Sequence, residues 1–255
     1  MSNVRICAFM GAIGALLTGC ASIETVRFSP AVDQSAVVRD GRPGIVSKKN
    51  QSVVILGPAG RGIPSGSRPV FVLGATNLTK QPLNLTVADI SVTQMVDGRP
   101  SMDLPVIPFE TLVAEERSRQ IMAAILVGAA AGANSYNASR SGYGSSTSTV
   151  STPRGTAYVT TNYYSPTANA IAQSNAAAQN EAMIANHIEA GRANLGALEA
   201  NVLKDNTIMP GEWVGGQVHL TPPVGEMGSP KHYQIKVRIG ADTHVLDVHQ
   251  ERAKQ

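Results

Sequence analysis

Tyr233-Gln-Ile-Lys-Val-Arg-Ile-Gly-Ala-Asp-Thr-His-Val-Leu-Asp-Val248 is the stretch from which the fold is read. Tyr233, Ile235, Val237 and Ile239 alternate with Gln234, Lys236 and Arg238. That period of two sets apolar side chains on one face of a β-strand. Gly240-Ala241-Asp242 then turns the chain into His244–Val248, so the segment predicts a hairpin. A third strand is expected at Trp213–Thr221, after Met209-Pro210-Gly211. Three strands are too few to close a core alone, so partner strands must come from earlier in the chain.

They are found between Ser52 and Pro108, where short β runs are separated by turns. Val53-Val54-Ile55-Leu56 ends at Gly57-Pro58, and Val70-Phe71-Val72-Leu73 ends near Asn77. Leu83, Leu85 and Val87 alternate with polar residues, then the phase slips by one and Ile90 and Val92 continue it. Such a slip predicts a bulge or strand break near Asp89. Asp97-Gly98-Arg99-Pro100 reads as a turn and Leu104–Ile107 as one more strand.

Between the two β regions the pattern is helical. Glu110–Ala133 carries charges early and an apolar run later, and Ser165-Pro166 supplies an N-cap and a first-turn proline for a second helix reaching about Asp205. Residues 134–165 are rich in Ser, Thr, Gly, Asn and Tyr, a composition expected to stay disordered. The expected fold class is α+β, an immunoglobulin-like β-sandwich interrupted by a long helical hairpin insertion with a low-complexity loop. The sandwich is expected from 52–108 and 207–250, with 109–206 as the insertion. Two separate β pieces flanking a helical domain are the alternative.

At the N-terminus, Arg5 precedes an apolar run from Ile6 to Leu17 that ends in Leu17-Thr18-Gly19-Cys20. Charge, short apolar core and small-residue exit make residues 1–19 an export signal, too short to span a bilayer. The ending resembles the lipobox of bacterial lipoproteins. That resemblance implies cleavage before Cys20, with a diacylglyceryl thioether and an amide-linked acyl chain on Cys20 as the lipidation site. Ala21, rather than Asp, at the next position implies sorting to the outer membrane; the body faces the periplasm or the exterior, the periplasm being the preferred expectation. Residues 20–51 are polar, and are read as a tether with a short strand at Ala36–Val38. The layout as a whole is similar to uncharacterised Gram-negative lipoproteins that pair a β-sandwich with an Ala/Gly-rich helical insertion. In them a segment like Leu203-Lys-Asp-Asn-Thr-Ile-Met-Pro-Gly-Glu-Trp213 follows, and the family brings no catalytic residues.

Composition narrows the function classes. Net charge is +3 over 255 residues, which argues against an electrostatic role with nucleic acid. The two Cys are Cys7, in the signal, and Cys20, so the fold rests on a hydrophobic core without a disulfide. Aromatics are 4%, which leaves Val, Ile and Leu to build that core.

The insertion holds the stretches with functional promise. Ile121–Ala133 is thirteen residues without a charge, and Gly128 and Gly132 give the GxxxG spacing that permits close helix approach. Positions 177, 181, 184, 188, 191, 195, 198 and 202 form a heptad-like seam. Gly191 and Gly196 cost helix stability and point to a close contact. The bland expectation is an antiparallel hairpin packed on its Ala/Gly faces; self-association and entry of the apolar run into a membrane are the sharper ones.

Motifs of chemistry are weak. Gly57-Pro58-Ala59-Gly60-Arg61-Gly62 lacks the Lys and helix of a phosphate loop and reads as a turn. His187, His219, His232, His244 and His249 form no ligand spacing and are expected at the surface, with His244 and His249 on opposite faces of a strand. Trp213 is expected in the core, and Tyr136, Tyr143, Tyr158, Tyr163 and Tyr164 in solvated disorder. No cofactor, metal site or catalytic residue is expected. The expectation is a non-enzymatic outer-membrane lipoprotein serving as a structural or interaction module of the envelope. Its partners are the membrane through Cys20 and another copy or envelope protein through the insertion. A pore-like assembly using helix 121–133 is the alternative, and an envelope hydrolase or ligand-binding protein the third.

Overall fold

The computed structural model describes residues 23–96 and 99–253. The expected export signal, Cys20 and the Asp97-Gly98 half of the expected turn lie outside the described residues. The chain is mixed α+β, with antiparallel sheets and two long helices. It divides into two units, residues up to Phe109 with those from Asn201 onward, and Glu110–Ala200.

Strands of the first unit begin with β1 (Ile23–Ser29), β2 (Gln34–Arg39), β3 (Arg42–Lys48), β4 (Ser52–Pro58) and β5 (Ile63–Pro64). They continue with β6 (Val70–Asn77), β7 (Leu83–Leu85), β8 (Ile90–Val96) and β9 (Arg99–Asp103). β10 (Tyr143–Thr152) and β11 (Gly155–Tyr164) belong to the second unit. β12 (Asn206–Ile208), β13 (Trp213–His219), β14 (Lys231–Ile239) and β15 (Asp242–Arg252) return to the first. One sheet has the order β5-β1-β15-β14-β8-β9 and the other β13-β6-β4-β3-β2, while β7 and β12 make a short separate pair.

The hairpin at 233–248 lies at the centre of the first sheet. β14 and β15 pair with Tyr233 opposite Val248 and Ile239 opposite Asp242, around Gly240 at φ +58°. The period-two residues Tyr233, Ile235, Val237 and Ile239 are all buried, as are Leu246 and Val248. They share one core with Leu56 of β4 and Phe71 and Leu73 of β6 from the second sheet. Burial at roughly 1.5–3 kcal/mol per large apolar side chain makes this shared core the main stabilising term. The phase slip near Asp89 is a single 3-10 turn, Val87–Asp89, between β7 and β8.

Two expectations are corrected. The stretch 20–51, read as a tether, carries β1, β2 and β3 within its described part, all of them paired in the two sheets. Its polarity misleads because two of its inward positions, beside the buried Val26 and Ile45, are polar and satisfied. Glu24 is fully buried on Lys231, and Ser47 is fully buried on His244. Residues 134–165, read as disordered, complete a helix to Arg140 and then form β10 and β11. Ten residue pairs align these two strands, whose side chains are almost all exposed, so composition alone did not reveal them.

The helices of the second unit are α1 (Phe109–Arg140) and α2 (Pro166–Asn201), each about 50 Å long at ~1.5 Å per residue. The Ser165-Pro166 start is as expected, with the Ala168 N–H donating to Ser165 Oγ at 3.3 Å.

Candidate functional site

α1 and α2 lie antiparallel, and side-chain amides join them. Near the base, Glu116 is buried and accepts from Gln120 and from Asn194 of α2, both at 3.0 Å. Gln120 also donates to the Gly191 carbonyl at 3.0 Å, and the His187 ring donates to the Gln120 carbonyl at 3.1 Å. Midway, Asn180 donates to the Ala131 carbonyl at 3.1 Å and accepts from Asn134. At the far end Asn169 donates to the Ser139 carbonyl at 2.8 Å. Small residues allow this approach. A Cβ at Gly191 would stand 2.9 Å from Gln120 Cδ, so Gly191 supplies the expected close contact, whereas one at Gly196 would meet open space.

The seam between the helices therefore mixes amides with small apolar residues, Ala138, Ala176 and Gly191 among them, while several large apolar side chains point outward. Ile121, Met122, Ile125 and Leu126 of α1 are each at least 60% exposed. On α2, Ile171, Ile184 and Ile188 are about half exposed. This corrects the first half of the heptad expectation, while Gly191, Leu195 and Leu198 fall on the seam as expected. The seam passes through Asn169, Ala176, Asn180, Met183, His187 and Gly191, so that 176, 180, 183 and 187 each stand one residue before the expected 177, 181, 184 and 188. The expected series followed the apolar residues, but Asn, Gln and His can bond the partner helix's carbonyls and Ile cannot. Gly128 and Gly132 face open space, since a Cβ on either would meet nothing within 4 Å. Charge is scarce on this unit, with only Arg140 and Arg154 between residues 120 and 180. Tyr136, Tyr143, Tyr158, Tyr163 and Tyr164 are all exposed, the last four on ordered strands.

On the first unit, the outer face of the second sheet forms an open trough of about 570 Å³. Val38, Val46, Ile55, Val72 and Trp213 line it. Trp213 is 55% exposed, which corrects its expected place in the core. Its strand turns that side outward, over Gly74 of β6.

His244 is also corrected, from surface to fully buried. Its Nε2 is 2.9 Å from Ser52 Oγ and its Nδ1 2.9 Å from Ser47 Oγ. Ser52 donates to Asp242 Oδ2 at 2.8 Å, and the Gln51 N–H donates to the same oxygen at 2.7 Å. Of the two neutral tautomers, one satisfies every bond. In it Ser52 accepts from Nε2–H and Ser47 donates to Nδ1. A catalytic triad needs the reverse, with serine donating to the ring and the carboxylate accepting from it. Burial holds the His244 pKa below its ordinary value, against the opposing pull of Asp242.

The remaining candidates stay apart. His249 occupies the opposite face of β15 from His244, and its ring stacks on His232 with centroids 4.3 Å apart. Among the described residues no group of three or more His, Cys, Asp or Glu is placed to hold a metal ion. The Gly57–Gly62 stretch runs from the end of β4 into β5, as a turn. Sequence reading missed the amides of the seam. The signal available was Asn and Gln recurring at 120, 134, 169 and 180 within otherwise Ala-rich helices. Compared with models of known families, with curated proteins and with solved structures, the chain matches none.

Proposed function

We propose that this chain is a lipid-anchored outer-membrane protein, acting without catalysis as an interaction module whose helical hairpin is the association surface. The observation that carries this reading is the exposed apolar flank of the hairpin. Amides and small residues make its seam, while Ile121, Met122, Ile125 and Leu126 stand in solvent beside two open glycines. Covering those four side chains is worth roughly 1.5–3 kcal/mol each, a driving force for another copy to pack there. Gly128 and Gly132 permit the backbones to approach closely. The first unit, on this reading an immunoglobulin-like sandwich, carries the hairpin and is held at the membrane by acyl chains on Cys20, facing the periplasm. Cross-linking and sedimentation of the lipid-free chain from Ala21 test the association. An oligomer dispersed by L126E or G128L is expected, with the monomer fold unchanged because both positions face outward. A strict monomer at high concentration, with and without detergent, overturns it.

One observation favours a second reading, a membrane-perturbing assembly. Among the described residues α1 alone is long and apolar enough to cross a membrane, and little of its apolar window is buried. Vesicle leakage that L126E abolishes would support this; leakage unaffected by charged substitutions at Leu126 and Gly128 would sink it.

A further inference from the structure

One end of the first sheet carries exposed apolar side chains that the core does not use. Ile23, the first residue of β1, is 57% exposed, Met227 81%, Val224 56% and Val96 50%. Hydrogen bonds gather them. The Gly228 N–H donates to Glu24 Oε1 at 3.0 Å, which sets Met227 beside the start of β1. Val224 exchanges two hydrogen bonds with the Gln94 side chain, at 2.7 and 3.0 Å, which sets it over the end of β8 near Val96. Beneath them the buried ammonium of Lys231 lies 3.2 Å from both oxygens of Glu24. Ser65 and Gln250 donate to the same carboxylate. β1, the loop after β5, the loop before β14 and the end of β15 are thereby locked into one rigid platform. Arg99 and Arg252 are exposed on the same rim, and Arg61 lies next to Gly62, which packs against Ile23.

Chain length says what this platform faces. Cys20 precedes Ile23 by three residues, and three residues extend at most about 11 Å. Acyl chains on Cys20 hold its sulfur at the level of the lipid headgroups. The start of β1 then has no slack to leave the bilayer surface. We infer that this end of the first sheet is a membrane-contact face, a placement that rests on lipidation at Cys20. Ile23, Val96, Val224 and Met227 enter the interfacial layer, and Arg61, Arg99 and Arg252 meet lipid phosphates. The body lies against the membrane and does not hang from a tether.

The lipidated protein tests this. With Cys7 removed and Cys20 alkylated, a single introduced cysteine is the only thiol. M227C and A241C, each labelled with bimane, are placed in phosphatidylethanolamine–phosphatidylglycerol vesicles carrying a lipid-borne quencher. Ala241 is exposed in the turn at the other end of β14, about 30 Å along the sheet. Several-fold stronger quenching at 227 than at 241 is expected. Equal quenching, or stronger quenching at 241, overturns the contact face. The mass of the N-terminal peptide, read on the same samples, separates the two claims. Without the diacyl mass on Cys20 the anchor and the face both fall; with it, equal quenching removes the face alone.

Discussion

Burial holds the His244 pKa below its ordinary value, and this makes the stability of the body sensitive to acid. In the unfolded chain the same ring takes a proton near pH 6.5. Its folded pKa is lower, so its contribution to stability is complete above that value and is lost as pH falls through the folded pKa. His219 and His249 are also held low by burial and share the sign. Tm should fall between about pH 7.5 and 5, and H244Q should flatten that slope; identical slopes for both proteins would contradict the assignment. Glu24 is the other residue to test. Desolvation by burial opposes its charge, but hydrogen bonds from Ser65, Gln250 and Lys231 prevail and hold its pKa below the ordinary value. K231M would leave a buried carboxylate without its cation and should cost about 3–5 kcal/mol in urea unfolding. The double variant E24Q/K231M should recover most of it. A cost for K231M within error of zero would refute the buried pair.

At the scale of elements, the hairpin glycines divide into two kinds. Gly191 lies in the seam against Gln120, whereas Gly128 faces open space. Alanine at an exposed helical glycine gains up to about 1 kcal/mol from propensity alone. G128A should therefore raise the melting temperature of the hairpin while weakening association between chains. G191A should not stabilise, because the new methyl displaces the Gln120 side chain from Glu116 and from the Gly191 carbonyl. Thermal melts of the two variants, with sedimentation of G128A, check this; equal stabilisation by both would mean the seam is not packed as described. Helix starts and strand periods at this scale were legible beforehand, since Ser165-Pro166 and the Tyr233–Ile239 alternation act locally. The facing of α2 was not. Its Ile residues suggested one seam, and its Asn and His residues make another.

For the whole molecule, the connections to the insertion are stitched onto one strand. Val106 bridges Leu220 and Val202 bridges Gln217 beside β13, and the Leu203 N–H donates to the Gln217 carbonyl at 2.9 Å. Both stitches belong to the first unit, so replacing residues 110–200 by a short Gly/Ser linker should leave a β body that melts cooperatively. A deletion variant without a cooperative melt would show that the body depends on the hairpin. The same chemistry separates what could be read early from what could not. Local patterning by itself determined the α+β alternation, the central β14–β15 hairpin and the two helices, because period, caps and turns depend on neighbours a few residues away. Only the tertiary structure decided that β1 and β3 join the sheets, that Ser52 and His244 are inside, and that Trp213 and Ile121 are outside. A polar residue can be buried only where a partner meets it, and Glu24 meets Lys231 from 207 positions away.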